Sequence, residues 1–217
     1  MHFEILVEDQ SGKVMLDHLV PRLLGPDHSF RVIAYKGIGH IPRGMKTNAD
    51  PAKRILLDRL PSLLRGYGRS LAGIPAAVIV VCDLDDRCLK AFRAELLEVV
   101  SACDPAPTTR FCIAIEEGEA WLLGDLDAVR EAYPKAREQV LRGYANDAIC
   151  GTWELLAEAV HAGGVAKLKS QGWQAVGAEK TRWAHVIASR MEPEQNRSPS
   201  FRYFCSKLAQ LSLDEWA

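Results

Sequence analysis

The segment AAVIVVCDLDD, residues 76–86, says more about the fold class than any other part of the sequence. Its first six residues are apolar and include several β-branched side chains, which is typical of a β-strand. Three aspartates follow the apolar run, at Asp83, Asp85 and Asp86. The segment therefore predicts a strand that carries carboxylates at its carboxyl end.

Three other β-rich runs alternate with helical patterns along the chain. This alternation predicts an α/β fold with a mostly parallel sheet that is flanked by helices. Strand signals stop near residue 120. We therefore expect an α/β core over residues 1–124 with a helical region over residues 125–217 packed on it, or one compact domain that contains both. The four expected strands are Phe3–Glu8, Phe30–Lys36, Ala76–Asp83 and Arg110–Glu116.

Two of the helical patterns contain a proline. Ser11 precedes the first pattern and is its expected N-cap, and Pro21 lies inside that pattern. Pro51 begins the second pattern, which ends near Gly66 and contains Pro61. Because proline lacks a backbone N–H and clashes with the preceding turn, we expect a kink or a break in each of these helices.

The composition, with 48% hydrophobic and 25% charged residues, is that of a globular protein and excludes intrinsic disorder, collagen and coiled coil. The formal net charge of -1 argues against a surface that is basic throughout. The charges are nevertheless sorted along the chain. Residues 31–69 hold nine basic and two acidic side chains, whereas residues 83–158 hold eight basic and sixteen acidic ones. The first block is compatible with a polyanionic substrate and the second with bound cations.

The sequence shows no sign of secretion or of membrane insertion. Glu4 and Glu8 interrupt the apolar N-terminal run, which argues against a signal peptide, and no stretch approaches the length of a membrane span. The six cysteines form no CxxC pair and have no histidine at zinc-binding spacing. We interpret them as reduced cysteines of a cytoplasmic protein that has no membrane partner.

Acidic residues stand at three of the four expected strand ends. Glu8 ends the first strand, Asp83 and Asp85 follow the third, and Glu117 and Glu119 follow the fourth. Ligands collect at the carboxyl ends of the strands in an open parallel sheet, so we expect these carboxylates to converge. Crowded carboxylates repel one another unless cations neutralise them, and sites made only of oxygen suit Mg²⁺ or Mn²⁺. The pattern predicts a site for one metal ion or two, of the kind that cuts phosphodiesters.

Each carboxylate also has a structural interpretation. Asp85 or Asp86 would serve equally well as the cap of a helix that begins shortly after them, and Glu116 as a solvated charge at a strand end. The whole constellation favours the functional interpretation over these alternatives. If the fourth strand continues, Glu117 and Glu119 share a face, with Glu116 opposite. If a helix starts at Glu117, Glu119 points away from it. Glu117 therefore ranks above Glu119, and both stay candidates.

The order of these motifs is similar to that of the Toprim fold, in which a glutamate ends the first strand and a later apolar strand closes in Asp-x-Asp. More closely, the chain resembles a bacterial Toprim-like family of unknown function, related to nucleases of the overcoming-lysogenization-defect type and to defence-system effectors. One departure is Asp9, where Toprim proteins commonly have glycine. The resemblance covers nearly the whole chain and is carried by ILVEDQS (5–11), LPSLLRGYG (60–68), VVCDLDDRCLKAF (80–92), IAIEEGEAWLLGD (113–125), AYP (132–134) and SPSF (198–201).

The resemblance implies a role for each matching residue. Glu8 would be a general acid or base that can also bind metal. Asp83 and Asp85 would be the metal-binding pair, and Glu117 an additional ligand that also belongs to the catalytic set, with Glu119 kept as a further candidate ligand. The resemblance implies hydrolysis of DNA or RNA with Mg²⁺ or Mn²⁺. Relatives in anti-phage systems also imply an ATPase partner of the ABC or AAA type.

A glycine-rich loop, residues 37–47, follows the second strand. It is not a Walker A phosphate loop, because a methionine separates its last glycine from the Lys-Thr pair. Its basic residues are instead candidates for contact with substrate phosphates, and a solvated loop is the alternative. These candidates are Lys36, Arg43 and Lys46.

Three functions are open on the sequence alone. The favoured one is a metal-dependent phosphodiesterase that cuts DNA or RNA. The second is a non-catalytic Toprim-like subunit that binds an ATPase or nucleic acid, although a degenerate domain would be expected to have lost some of the carboxylates. The third is a metal-assisted phosphotransferase. Aspartyl phosphatases of that kind place Asp-x-Asp after the first strand rather than the third, which counts against it.

Overall fold

Four strands form one sheet in the part of the chain that the computed structural model describes, which is residues 1–45, 50–148 and 151–213. The strands are β1 (His2–Val7), β2 (Ser29–Ala34), β3 (Ala76–Asp83) and β4 (Thr109–Ala114). Their order across the sheet is β2-β1-β3-β4, and each neighbouring pair is parallel. The predicted α/β fold with a parallel sheet is confirmed, and no strand end differs from its prediction by more than two residues.

Helices connect the strands and make up most of the described chain after β4. The connecting helices are α1 (Gln10–Leu23), α2 (Leu56–Ser70) and α3 (Leu89–Ser101). The later helices are α4 (Glu119–Leu123), α5 (Leu126–Ala132), α6 (Glu138–Arg142), α7 (Thr152–Val160), α8 (Gly164–Ser170), α9 (Trp173–Ala188) and α10 (Pro199–Leu213). In the described ranges, no helix combines the length and the apolar character that crossing a membrane requires.

The sheet lies between two layers of helices, because successive residues of a strand point to opposite faces. In β3, Ile79 and Val81 pack into a core with α1 and the helices that follow β4. Val78 and Val80 pack into a second core, with α2 and α3. Both faces of this strand are therefore buried, which explains why its sequence is apolar without alternation.

The strand order reverses beside β1. From β1 the chain moves outward through α1 to β2, and it then crosses the opposite face through α2 to reach β3 on the other side of β1. In open parallel sheets, ligands bind at such a reversal, in the crevice outside the carboxyl ends of the strands. Glu8 directly follows β1 and Asp83 is the last residue of β3, so the fold puts both residues at this crevice.

The N-terminus of α1 differs from the prediction. Asp9, rather than Ser11, is the N-cap, and its Oδ1 accepts a hydrogen bond from the backbone N–H of Gly12 at 2.7 Å. Ser11 lies inside the helix and donates its hydroxyl to Asp9 Oδ2 at 2.7 Å. The predicted cap was wrong because the chain turns into the helix directly after β1, where the longer-reaching carboxylate of Asp9 meets the free N–H groups of the first turn.

The two prolines do not break their helices, since α1 continues past Pro21 and α2 continues past Pro61. Each proline costs its helix one backbone hydrogen bond, and burial of the apolar face offsets that loss. The second helix begins at Leu56 rather than at Pro51. Arg54 has a left-handed φ of 52°, and this residue separates the helix from the preceding turn of 3₁₀-helix.

Candidate functional site

Glu8 and Asp83 lie at the carboxyl ends of neighbouring parallel strands, and one hydrogen bond joins them. The Oε2 atom of Glu8 accepts this bond from the backbone N–H of Asp83 at 3.1 Å. Both residues line a pocket that has about 470 Å³ of unfilled space, part of which is open to solvent. The structure therefore brings these two predicted residues together at the crevice between β1 and β3.

The surroundings of this pair make negative charge unfavourable. Burial raises the pKa of Glu8 from 4.5 to about 7, with further contributions from the charges of Asp85 and Asp9, although the Asp83 N–H acts in the opposite direction. Burial, together with the charges of Glu8 and Glu119, raises the pKa of Asp83 well above its ordinary value. Among the described residues, no basic side chain lies within ion-pair distance of either carboxylate. The Glu8–Asp83 pair is thus left without a direct protein counter-ion.

Glu119 and Lys180 form an ion pair in the same pocket. Glu119 is the first residue of α4 and is only 3% exposed. The Nζ atom of Lys180, from α9, lies 3.0 Å from Glu119 Oε2. This oxygen has no hydrogen bond of acceptable geometry to any described residue, so the contact is an ion pair by distance alone. Burial raises the pKa of Glu119, although the charge of Lys180 acts in the opposite direction.

Lys180 also faces Glu117, whose other carboxylate oxygen is bound by the start of α7. Its Nζ atom lies 3.9 Å from Glu117 Oε1. Burial would lower the pKa of Lys180, but the charges of Glu119, Glu117 and Asp83 outweigh it and raise that pKa above its usual value.

Burial raises the pKa of Glu117 to about 7. The Oε2 atom of Glu117 accepts a hydrogen bond at 3.3 Å from the backbone N–H of Trp153, at the start of α7, and lies 3.3 Å from the Thr152 hydroxyl oxygen.

The structure brings Glu119, rather than the higher-ranked Glu117, into the pocket. Glu119 lines the pocket with Glu8 and Asp83, whereas Glu117 is directed to the N-terminus of α7. The ranking assumed a helix that starts at Glu117, but α4 starts at Glu119. The intervening turn brings Glu119 over the carboxyl end of β3, and a Cβ placed on Gly118 would lie 3.7 Å from Asp83 Oδ1.

Glu116 has a structural role. Its carboxylate accepts hydrogen bonds from the backbone N–H of Gly151, from the backbone N–H of Thr152 at 2.9 Å and from the Thr152 hydroxyl at 2.7 Å. These groups are the free donors at the start of α7, so Glu116 caps this helix from a distant part of the chain. The interpretation of Glu116 as a solvated charge is wrong for this reason.

Asp85 lies at the rim of the pocket rather than inside it. Its side chain is 43% exposed, and Oδ2 lies 3.9 Å from Arg87 Nη2. Asp85 has a left-handed φ of 51°, a conformation that aspartate tolerates better than most residues. Neither Asp85 nor Asp86 caps α3, which begins at Leu89 after Cys88 without a side-chain cap. The capping alternative for these aspartates is therefore wrong.

The loop after β2 begins next to Glu8. The backbone N–H of Gly37 donates a hydrogen bond to the carbonyl oxygen of Glu8 at 2.9 Å. The side chains of Lys36 and Arg43 are exposed and form no ion pair with any residue that the structure describes. Lys46, the third predicted phosphate contact, lies outside the described residues. The structure thus puts the start of this loop next to Glu8.

The sequence patterns predict no role for Lys180, and they mark Asp9 only as a departure from the Toprim pattern. Asp9 lines the pocket while it caps α1. Lys180 belongs to no motif, and its position near the carboxylates results from the packing of α9 on α1. The sequence contains no local signal from which the place of Lys180 follows.

The donor chemistry of the pocket fits a hard divalent cation. Mg²⁺ is commonly held by one or two carboxylates together with water and substrate phosphates, rather than by an all-protein cage. The Glu8–Asp83 pair offers such a half-shell, and burial is the largest cause of the raised pKa of both carboxylates. Within residues 1–45, 50–148 and 151–213, no group of three or more His, Cys, Asp or Glu side chains is arranged to hold a metal ion.

The comparison with protein families gives one match. Residues 7–209 match the family described as "Domain of unknown function (DUF4276)". The chain belongs to this family. No curated protein and no solved structure matches the chain significantly.

The DUF4276 match extends over the helices that complete the pocket, including α9 with Lys180. It also includes the contacts that join α4 to α10. The Nε1 atom of Trp121 donates a hydrogen bond to Ser200 Oγ at 2.9 Å, and Asn196 Nδ2 donates to the carbonyl oxygen of Trp121 at 2.8 Å. The family segment around Glu119 is therefore held in place by the family segment around Ser200.

Proposed function

We propose that this protein is a metal-dependent nuclease that hydrolyses phosphodiester bonds of DNA or RNA. The observation that supports it most is the pairing of Glu8 and Asp83 at the crevice between β1 and β3, in a pocket where they have no direct counter-ion among the described residues. The resemblance to Toprim proteins points to the same pair of carboxylates. A divalent cation bound there would relieve their repulsion and face the substrate phosphate.

In the proposed reaction, water attacks phosphorus, a new P–O bond forms, and the bond to the leaving ester oxygen breaks. Mg²⁺ or Mn²⁺ would supply neutralisation of the phosphate charge and a lowered pKa of the attacking water. Glu8 is suited to accept the proton of that water, because its carboxylate lines the pocket beside Asp83. Asp83 would hold the cation beside it, with Asp85 at the rim and Lys36 available to a neighbouring phosphate.

The proposed context is a bacterial anti-phage system, in which the chain would act as the effector in the cytoplasm. The resemblance to defence-system nucleases supports this context and an ATPase of the ABC or AAA type as partner. The basic residues near the start of the loop after β2 support nucleic acid as the substrate, because phosphate binding depends on exposed lysine and arginine. Exposed Lys36 and Arg43 meet this requirement.

A non-catalytic binding subunit is the second candidate, and one observation favours it. Lys180 already lies within ion-pair distance of Glu119 and Glu117, so half of the acidic cluster needs no metal ion. A protein that only binds an ATPase or nucleic acid would keep such a pair for stability. The two candidates differ in whether Asp83 is needed for a chemical reaction.

The test is an assay on plasmid DNA, single-stranded DNA and tRNA with Mg²⁺, with Mn²⁺ or with EDTA. We expect the wild type to cut at least one substrate only when metal is present. Asp83→Asn should reduce the rate by about 100-fold or more, because it removes a metal-binding charge without changing the shape of the side chain. Asp86→Asn is the matched control and should keep wild-type activity, since Asp86 is exposed and does not line the pocket.

Equal behaviour of wild type and Asp83→Asn on every substrate would rule out the nuclease proposal. This comparison should be made both with the isolated chain and with an ATPase encoded beside the gene. Binding of nucleic acid or of the ATPase that survives Asp83→Asn, without any cleavage, would instead support the binding subunit.

A further inference from the structure

Four carboxylates, Glu8, Asp83, Glu117 and Glu119, form an acidic cluster whose two halves differ in their counter-ions. Glu119 and Glu117 lie 3.0 and 3.9 Å from the Lys180 ammonium. Glu8 and Asp83 line the same pocket, and no basic side chain of the described residues lies at ion-pair distance from them. The Lys180 ammonium is therefore in ion-pair contact with one half of the site only.

We propose that Lys180 takes the place of a second metal ion, so that the site binds a single divalent cation at Glu8 and Asp83. This inference rests on the proposed metal-dependent function and specifies it further. Two-metal sites hold their ions about 4 Å apart and need carboxylates that are free to serve both. In this protein, the ammonium group already lies against the carboxylates that a second ion would require.

The position of Lys180 is fixed by the packing of its helix. Its side chain is 18% exposed, and its neighbours on α9, Trp183 and Ala184, are buried in the core shared with α1. If the ammonium moved away and nothing replaced it, the buried charges of the two carboxylates would have no counter-ion. Such unpaired buried charges destabilise a protein strongly. Lys180 therefore stays with Glu119 and Glu117 when a cation enters the other half of the pocket.

The unmet hydrogen-bonding capacity of Glu119 supports the same assignment. Glu119 Oε2 is buried and has no hydrogen bond of acceptable geometry to any described residue, although it lies 3.0 Å from Lys180 Nζ. An oxygen of this kind is a suitable metal ligand as soon as the ammonium is removed. Lys180 is thus the group that decides whether the Glu119 half of the pocket can accept a divalent cation.

The test is calorimetric titration of the full chain with Mn²⁺ alone, without any substrate. We expect one Mn²⁺ per wild-type chain. Lys180→Gln should bind two, because it frees Glu119 and Glu117, and its thermal stability should be lower without metal and rise more on metal addition. Lys169→Gln is the matched control and should bind one, since Lys169 forms an exposed ion pair with Glu154 at 3.0 Å outside the pocket.

Two Mn²⁺ per wild-type chain would overturn the proposal, and this measurement needs no variant to fold. One Mn²⁺ in a folded Lys180→Gln would overturn it as well. No Mn²⁺ in the wild type would contradict the proposed metal-dependent function itself, and with it this inference. That outcome is distinguishable from the first two, which leave a metal site in place but give it a different number of ions.

Discussion

At the scale of single residues, the site concentrates negative charge where solvent is partly excluded. Glu8, Asp83, Glu117 and Glu119 all have raised pKa values, and burial is the largest cause in each case. Such an arrangement costs stability whenever the carboxylates ionise without a cation. Clustered carboxylates with perturbed pKa values in a pocket are the feature on which the proposed function is based.

The pKa of Glu8 gives a prediction for the stability of the metal-free protein. Its folded-state pKa of about 7 lies above the ordinary 4.5, so the folded state binds its proton more tightly than the unfolded state. The protonated Glu8 carboxyl stabilises the folded state fully below the ordinary pKa of 4.5. This stabilisation is lost as the pH rises through the folded-state pKa of about 7. In EDTA, Glu8→Gln should therefore exceed the wild type in unfolding free energy by about 3 kcal/mol at pH 8, and by about 1 kcal/mol at pH 5.

Urea unfolding at several pH values measures this difference. Glu95→Gln is the control, because Glu95 is an exposed glutamate on α3 that lies outside the pocket, and its substitution should not change the pH profile. The same curve for Glu8→Gln and the wild type across the range would contradict the assignment of a raised pKa to Glu8.

At the scale of elements, close packing of helices and loops fixes the two faces of the sheet. In α2, Gly68 lies against the segment that precedes β4, and a Cβ at this position would come within 1.8 Å of the carbonyl oxygen of Pro105. The obstacle is backbone, so it cannot move aside as a flexible side chain would. Gly66 is in the same helix, and a Cβ at that position would have no neighbour within 4 Å.

The two glycines provide a matched pair of alanine variants. Gly68→Ala should destabilise the protein by about 1–3 kcal/mol, because the added methyl group forces α2 away from its neighbour. Gly66→Ala should stabilise it by about 0.5–1 kcal/mol, because alanine has the higher helix propensity. Denaturant unfolding measures both, and a neutral Gly68→Ala would mean that this contact is looser than described.

At the scale of the whole molecule, the helices after β4 cover one face of the sheet and also complete the pocket. Buried residues of α1 share a single core with Trp153, Trp183 and Phe201 of the later helices. Lys180 reaches the carboxylates only because α9 packs on α1. The candidate site is therefore assembled from both halves of the sequence.

This arrangement predicts that residues 1–124 do not fold without the rest of the chain. The truncated protein would expose the apolar face formed by α1 and the sheet, which the full chain buries. We expect it to aggregate or to lack a cooperative thermal transition in circular dichroism, whereas residues 1–217 should unfold in one transition. A cooperative transition in the truncated protein would identify an independent α/β domain.

The fold class and the pairing of Glu8 with Asp83 follow from sequence patterns alone. Apolar runs of strand length that alternate with helical patterns leave few options besides a parallel sheet with helices on both faces, and the carboxyl ends of parallel strands meet at one edge. For this reason, Glu8 and Asp83 could be assigned to a common site from their positions after β1 and within β3 alone.

Which groups surround that pair depends on tertiary packing. Whether Glu116, Glu117 or Glu119 enters the pocket depends on a turn of a few residues before α4, and local sequence patterns do not fix side-chain directions in such a turn. Lys180 lies 97 positions after Asp83 in the sequence, and only the packing of α9 on α1 brings its charge to the carboxylates. Local hydrophobic periodicity indicates which face of a helix is buried. It does not indicate which distant segment packs against that face.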